Sequence, residues 1–221
     1  MPETSAKTIE CIRSTAPVPY AEAYEAQIAR RNLVEADEAG EALFMLEHTP
    51  VFTLGRKSDE RHLLQSRATL ADMGIDVVEV DRGGDVTYHG PGQLVAYPIL
   101  DLTRRRQSIR WYLRELERVI VDFLADYGLK GERLEGYTGV WVGGAKVAAI
   151  GVGIRGWVTF HGLAINVEPD VEHFRLIVPC GIPDKAVTSL KLLLGEAPTM
   201  ESAYDVFEKH FSNAFPPLAV T

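Results

Sequence analysis

Cys180 lies in Leu176-Ile-Val-Pro-Cys-Gly-Ile182, with Pro179 before it and Gly181 after it. Those neighbours place the thiol at a backbone turn instead of mid-strand. Free cysteines are most often inert small core residues, and a turn position argues against that ordinary role. The thiolate is the nucleophile, and an unassisted thiol titrates near ~8.5, so a catalytic cysteine needs a neighbouring cation to ionise it. Lys146, His89 and His161 are the candidates, and the sequence does not rank them. Cys11, in a loose N-terminal segment, has no such setting and is given no role.

Lys146 is the only charge in Gly143-Gly-Ala-Lys-Val-Ala-Ala-Ile-Gly-Val-Gly153. A lysine at a strand end usually extends its ammonium into water. A desolvated amine among small residues instead has a lowered pKa and can move a proton near neutrality. The small neighbours leave room for a ligand. Arg82-Gly-Gly-Asp-Val-Thr-Tyr-His-Gly-Pro-Gly-Gln93 packs four glycines and a proline into twelve residues. Such a segment turns sharply or approaches something closely. It lacks the Gly-Lys-Ser/Thr of a phosphate loop, so no nucleotide cradle is expected. In His161-Gly-Leu-Ala-Ile-Asn166 two polar side chains interrupt an apolar strand and need hydrogen bonds if buried.

The chain around these residues has 221 residues, 46% hydrophobic and 24% charged, as expected of a globular protein with a sizeable core. A net charge of -8 argues against general nucleic-acid binding. No apolar run approaches the ~20 residues that span a bilayer, and the first sixteen residues carry no signal-peptide h-region. A cytoplasmic location is therefore the default. Two cysteines far apart make no disulfide framework, and no metal-ligand spacing is present, so neither metal nor cofactor is expected. Arg104, Arg105, Arg106, Arg110 and Arg114 form a basic cluster, read equally as a solvated helix start or a docking patch for an acidic partner.

The elements that must position the site follow from periodicity. Helices are expected over Tyr20 to Ala39, Thr69 to Met73, Ser108 to Tyr127 and Met200 to Phe215. The third has Ile109, Leu113, Leu116, Ile120, Phe123 and Tyr127 at helical spacing behind Ser108 as N-cap. Ala42 to Glu47 and Val51 to Leu54 read as paired strands around a turn. Further strands are Val77 to Val80, Gln93 to Leu100, Gly139 to Val142, Lys146 to Ile154 and Val158 to Val167, the last two joined by a turn at Arg155-Gly156. The pattern is α+β. Residues 1–16 are expected to be an N-terminal extension and 17–217 a single catalytic domain.

Together these segments resemble the lipoyl(octanoyl) transferase family. The resemblance rests on the motifs at 82 to 93, 144 to 151, 161 to 166 and 179 to 182, which occur in the family's order. It implies a mixed β-sheet flanked by helices, as in biotin/lipoate protein ligase catalytic domains. It also implies transfer of octanoyl from octanoyl-acyl carrier protein to a lysine of lipoyl domains, those of 2-oxoacid dehydrogenase E2 subunits and of glycine cleavage H protein. The family pattern makes Cys180 the acyl-thioester nucleophile and Lys146 its partner. It assigns substrate binding to Arg82, Gly83, Gly84, Asp85, Val86, Thr87, Tyr88, His89, Ala149, Ile150, Gly151, Gly162, Leu163 and Ala164. Rival readings are an ATP-dependent lipoate–protein ligase on the same fold and a silent acyl- or carrier-binding module.

Overall fold

The computed structural model describes residues 8–178 and 186–218; Cys180 and the rest of its Pro-Cys-Gly turn lie outside them. Among the described residues nine strands form two sheets. They are β1 (Glu10–Arg13), β2 (Ala42–Leu46), β3 (Val51–Leu54), β4 (Asp76–Glu79), β5 (Val86–His89), β6 (Gln93–Ile99), β7 (Gly139–Val142), β8 (Ala145–Arg155) and β9 (Val158–Asn166). The large sheet runs β1-β2-β6-β9-β8-β7 and the small one β4-β3-β5. Only β1–β2 and β3–β4 are parallel pairs, so the architecture is mixed α+β.

Among the described residues five α-helices flank the sheets: α1 (Tyr20–Glu35), α2 (Arg67–Asp72), α3 (Ile109–Asp126), α4 (Leu190–Leu194) and α5 (Met200–Ala214). In α3 the Ser108 side chain accepts from Trp111 N, capping the first turn. Leu116, Ile120 and Phe123 share one face and pack, with Phe207 and Phe211 of α5, against Leu43, Leu94 and Ile165 of the large sheet. The helical stripe splits at its start: Ile109 and Leu113 line a cleft instead of the core. On the sheet's other face α1 sets Ala23 against Leu46, Val95, Tyr97 and Ala164. The small sheet has its own core of Phe52, Leu54, Leu70, Val86 and Tyr88.

Three expectations need correction. Ala42–Leu46 and Val51–Leu54 do not pair with each other: β2 joins β1 and β6, while β3 joins β4 and β5. The residues between them, including His48-Thr49-Pro50, carry the chain from one sheet to the other. The β8–β9 turn is Gly156-Trp157, because Arg155 and Val158 still pair; both turn residues have positive φ, 57° and 64°, as a type I′ turn requires. Cys11 is not in a loose segment but in β1, at the edge of the large sheet, opposite Leu43.

The basic cluster is largely engaged. Arg105 is buried against Glu41 (2.6 Å) and donates to Pro216 O, Arg104 meets Asp37 (2.7 Å) and Arg114 meets Glu117 (2.6 Å).

Candidate active site

A cleft of about 670 Å³ opens between the small sheet and the large one. Its floor is the β8–β9 ladder, in which Ala149 pairs with Ala164, Ile150 with Leu163 and Gly151 with Gly162. Two segments separate in sequence are thus direct cross-strand neighbours. Their small residues permit close approach: a Cβ on Gly151 would lie 2.9 Å from Gly83 O, and one on Gly162 would collide with Ala96 O. Gly83 N donates to Val152 O (2.9 Å), which fastens the Arg82 loop across β8.

Arg82 is buried and holds this loop to β3. Its Nη2 donates to Thr53 O and Oγ1 (both 2.7 Å), and its Nη1 donates to Gly83 O (3.1 Å). Asp85 Oδ1 accepts from Val86 N (2.7 Å) and its carboxylate contacts His62. Gly83, Gly84, Asp85, Val86, Thr87 and His89 all line the cleft. Tyr88 does not. Strand alternation turns it into the small-sheet core, where its ring packs on Phe52 and its hydroxyl meets His173 Nδ1 (2.8 Å).

Lys146 also lines the cleft, and a β-bulge accounts for its direction. Val140 pairs with Ala148 but Trp141 with Lys146, so Val147 is an extra residue in β8. Val147 and Ala148 both enter the core, and Lys146 is left on the side of Ala149 and Gly151. Its Nζ lies 5.3 Å from the Trp141 ring centroid, within cation–π range. Gly139, at φ 138°, passes so near that a Cβ there would lie 2.8 Å from Lys146 Cε.

Several cleft residues gave no motif signal in the sequence. Tyr20 at the start of α1 and Tyr97 of β6 line it, His48 backs it, and Asp81 bonds to His161 at its edge. His161 has a positive φ of 53°, unusual for a residue with a side chain, and its N donates to buried Gln27 Oε1 (2.8 Å). Its Nε2 lies 2.7 Å from Asp81 Oδ1 and its Nδ1 3.2 Å from Tyr20 Oη. Tyr97 Oη meets His48 Nε2 (2.7 Å), and His89 Nδ1 meets Gln93 Oε1 (3.1 Å). Gln93 Nε2 donates to Asn166 Oδ1 (2.9 Å), and Asn166 Nδ2 donates to Thr188 O (2.9 Å).

Burial lowers the pKa of all three histidines, taking His48 to about 4 and His89 well below its ordinary value. At neutral pH they are neutral imidazoles, hydrogen-bonding groups instead of cations. Cys11 is pushed up to about 12 by burial and by Glu208, so it stays a thiol. Among the described residues no group of three or more His, Cys, Asp or Glu side chains could hold a metal ion. No helix there is long and apolar enough to cross a membrane.

The lipoyl protein ligase A/B catalytic domain family matches residues 19–212. The chain belongs to this family. An octanoyltransferase of Chloroflexus aurantiacus is 54% identical over 166 residues, covering 74% of each chain. One of Caldicellulosiruptor saccharolyticus is 44% identical over 200 residues, covering 90% of this chain and 85% of its own. Among solved structures, a bi-partite lipoate protein ligase from Thermoplasma acidophilum matches with TM-score 0.69 at 15% identity, over 93% of this chain and 84% of that one. That likeness concerns the fold alone. The family member described here is an acyltransferase.

Proposed function

We propose that octanoyl transfer in protein lipoylation, the reaction of these relatives, runs in this chain through a thioester on Cys180 with Lys146 as acid/base partner. Octanoyl-acyl carrier protein is the donor. Lipoyl domains of 2-oxoacid dehydrogenase E2 subunits and glycine cleavage H protein are the acceptors. Residues 17–217 act as one catalytic domain, and the cytoplasm is the site of action.

One observation carries the pairing. After the Cys180 turn the chain returns to Lys146: Lys146 N donates to Ala186 O (2.8 Å) and Thr188 N donates to Lys146 O (2.9 Å). Cys180 is six residues from Ala186, a reach of at most ~20 Å from the strand that carries Lys146, and this supports the pairing.

The chemistry follows in two halves. Lys146 takes the Cys180 proton, and the thiolate attacks the octanoyl carbonyl carbon. The bond to the carrier sulfur breaks, and that sulfur recovers the proton from Lys146. The neutral amine of the acceptor lysine then attacks the acyl-enzyme. A C–N bond forms, the C–S bond to Cys180 breaks, and Lys146 takes the amine proton. Exchange between thioesters is nearly isoenergetic and amide formation runs downhill, so no nucleotide is needed. Ala149 to Gly151, Gly162 to Ala164 and the Arg82 to His89 segment, Tyr88 excepted, surround the acyl chain, each buried CH₂ contributing ~0.8 kcal/mol.

The test is acyl transfer to a lipoyl domain without ATP. Transfer is expected in its absence and lost in Cys180→Ser; strict dependence on ATP would make the chain a ligase instead.

A further inference from the structure

Resting on the reaction proposed above, we infer that Tyr20, held by His161 and Asp81, and His89 beside it form a hydrogen-bond-accepting subsite for the amine of the incoming lysine.

The argument concerns which atom holds each proton, assigned from the hydrogen-bond partners. Burial pulls the Asp81 carboxyl up, but His161, its own backbone N–H and a hydrogen bond from Tyr24 together hold it below the ordinary carboxylate range. An ionised Asp81 only accepts, so the proton of the neutral His161 ring sits on Nε2 and donates across 2.7 Å. His161 Nδ1 is then bare, and the Tyr20 hydroxyl donates to it across 3.2 Å. The single hydroxyl hydrogen is thereby committed, and Tyr20 Oη offers the cleft only lone pairs.

His89 reaches the same polarity independently. Gln93 Nε2 donates to Tyr88 O (3.2 Å) and Asn166 Oδ1 (2.9 Å), which turns Gln93 Oε1 to His89. His89 Nδ1 therefore donates to that oxygen, and Nε2 is an acceptor. The two residues flank one ring: His48 lies 5.2 Å from Tyr20 and 5.7 Å from His89, between centroids. A wall of acceptors cannot hold the acyl carbonyl or its oxyanion, which need donors. It fits an N–H donor, and the attacking lysine amine is the N–H group that the reaction must orient. The left-handed backbone of His161 is held by the hydrogen bond from its N to Gln27 Oε1.

Tyr20→Phe and Asp81→Asn test the subsite in separated half-reactions. Mass spectrometry follows octanoyl adduct formation on Cys180, and a chase with lipoyl domain follows its loss. In Tyr20→Phe, adduct formation is expected to stay within about twofold and transfer to lysine to slow about tenfold. Asp81→Asn is expected to slow transfer in the same direction. Equal slowing of both halves, or unchanged transfer, would overturn the inference; an effect of Tyr20→Phe alone would remove the relay. Should wild-type enzyme form no adduct, the thioester reading fails by itself. The subsite is then judged by steady state, where kcat/KM for the lipoyl domain is expected to fall and that for the carrier protein to stay within about twofold.

Discussion

His48, His89 and His161 bring three imidazoles to one cleft, and none of them is a cation at neutral pH. For His48 this has a measurable consequence. Its folded pKa of about 4 lies below the ordinary 6.5, so the unfolded chain binds a proton that the buried ring refuses. Stability contributed by the neutral ring is complete above about 6.5 and is lost as pH falls towards about 4, by up to ~3 kcal/mol. Urea unfolding between these pH values is expected to show a slope of that sign, to which buried His89 and His161 also contribute, and His48→Asn is expected to reduce it. Lys146 has the complementary role. Lys146→Ala is expected to slow both half-reactions by at least ~100-fold while carrier protein still binds, read by single-turnover kinetics and a binding isotherm. The motif residues were legible because glycine, proline and isolated charges stand out in an apolar strand. Tyr20, Asp81 and His48 were not: an aromatic at a helix start, a carboxylate and a histidine before a turn look like ordinary surface residues until the chain is folded.

The strands and helices place these groups through close backbone approaches. Gly139→Ala would set a methyl 2.7 Å from Ala148 O and 2.8 Å from Lys146 Cε, at a φ that disfavours side chains. A loss of roughly 1–3 kcal/mol in stability is expected, together with a fall in kcat larger than that of a comparably destabilised variant elsewhere. Thermal melts and kinetics on the same preparations separate the two effects. Arg105→Met leaves Glu41 buried without its partner, and a cost of about 3–5 kcal/mol is expected by chemical denaturation, with kcat unchanged in the folded fraction. Element type was readable from periodicity in α3, β7, β8 and β9. Pairing was not, because alternation marks a strand but carries no signal of its partner; β2 and β3 went to different sheets for that reason. β5 was concealed in the glycine-dense segment, and the bulge at Val147 that turns Lys146 to the cleft leaves no compositional mark.

Across the whole molecule, two sheets with separate cores meet at a cleft whose floor combines alanine and glycine with Ile150 and Leu163. The same fold occurs in ligases of low sequence identity, so the architecture alone does not choose between a nucleotide-activated acid and a thioester. The relatives at 44% and 54% identity, octanoyltransferases by name, favour acyl transfer over activation of a free acid. The α+β class was legible in the sequence, while the cleft's polarity required coordinates, since it depends on which atom of each imidazole carries the proton. The most direct measurement is intact-protein and peptide mass spectrometry after incubation with octanoyl-acyl carrier protein in the absence of ATP. A gain of one octanoyl group located on Cys180, discharged by lipoyl domain and absent in Cys180→Ser, is the predicted result. Transfer that proceeds at the wild-type rate in Cys180→Ser, or an adduct located elsewhere, would contradict it.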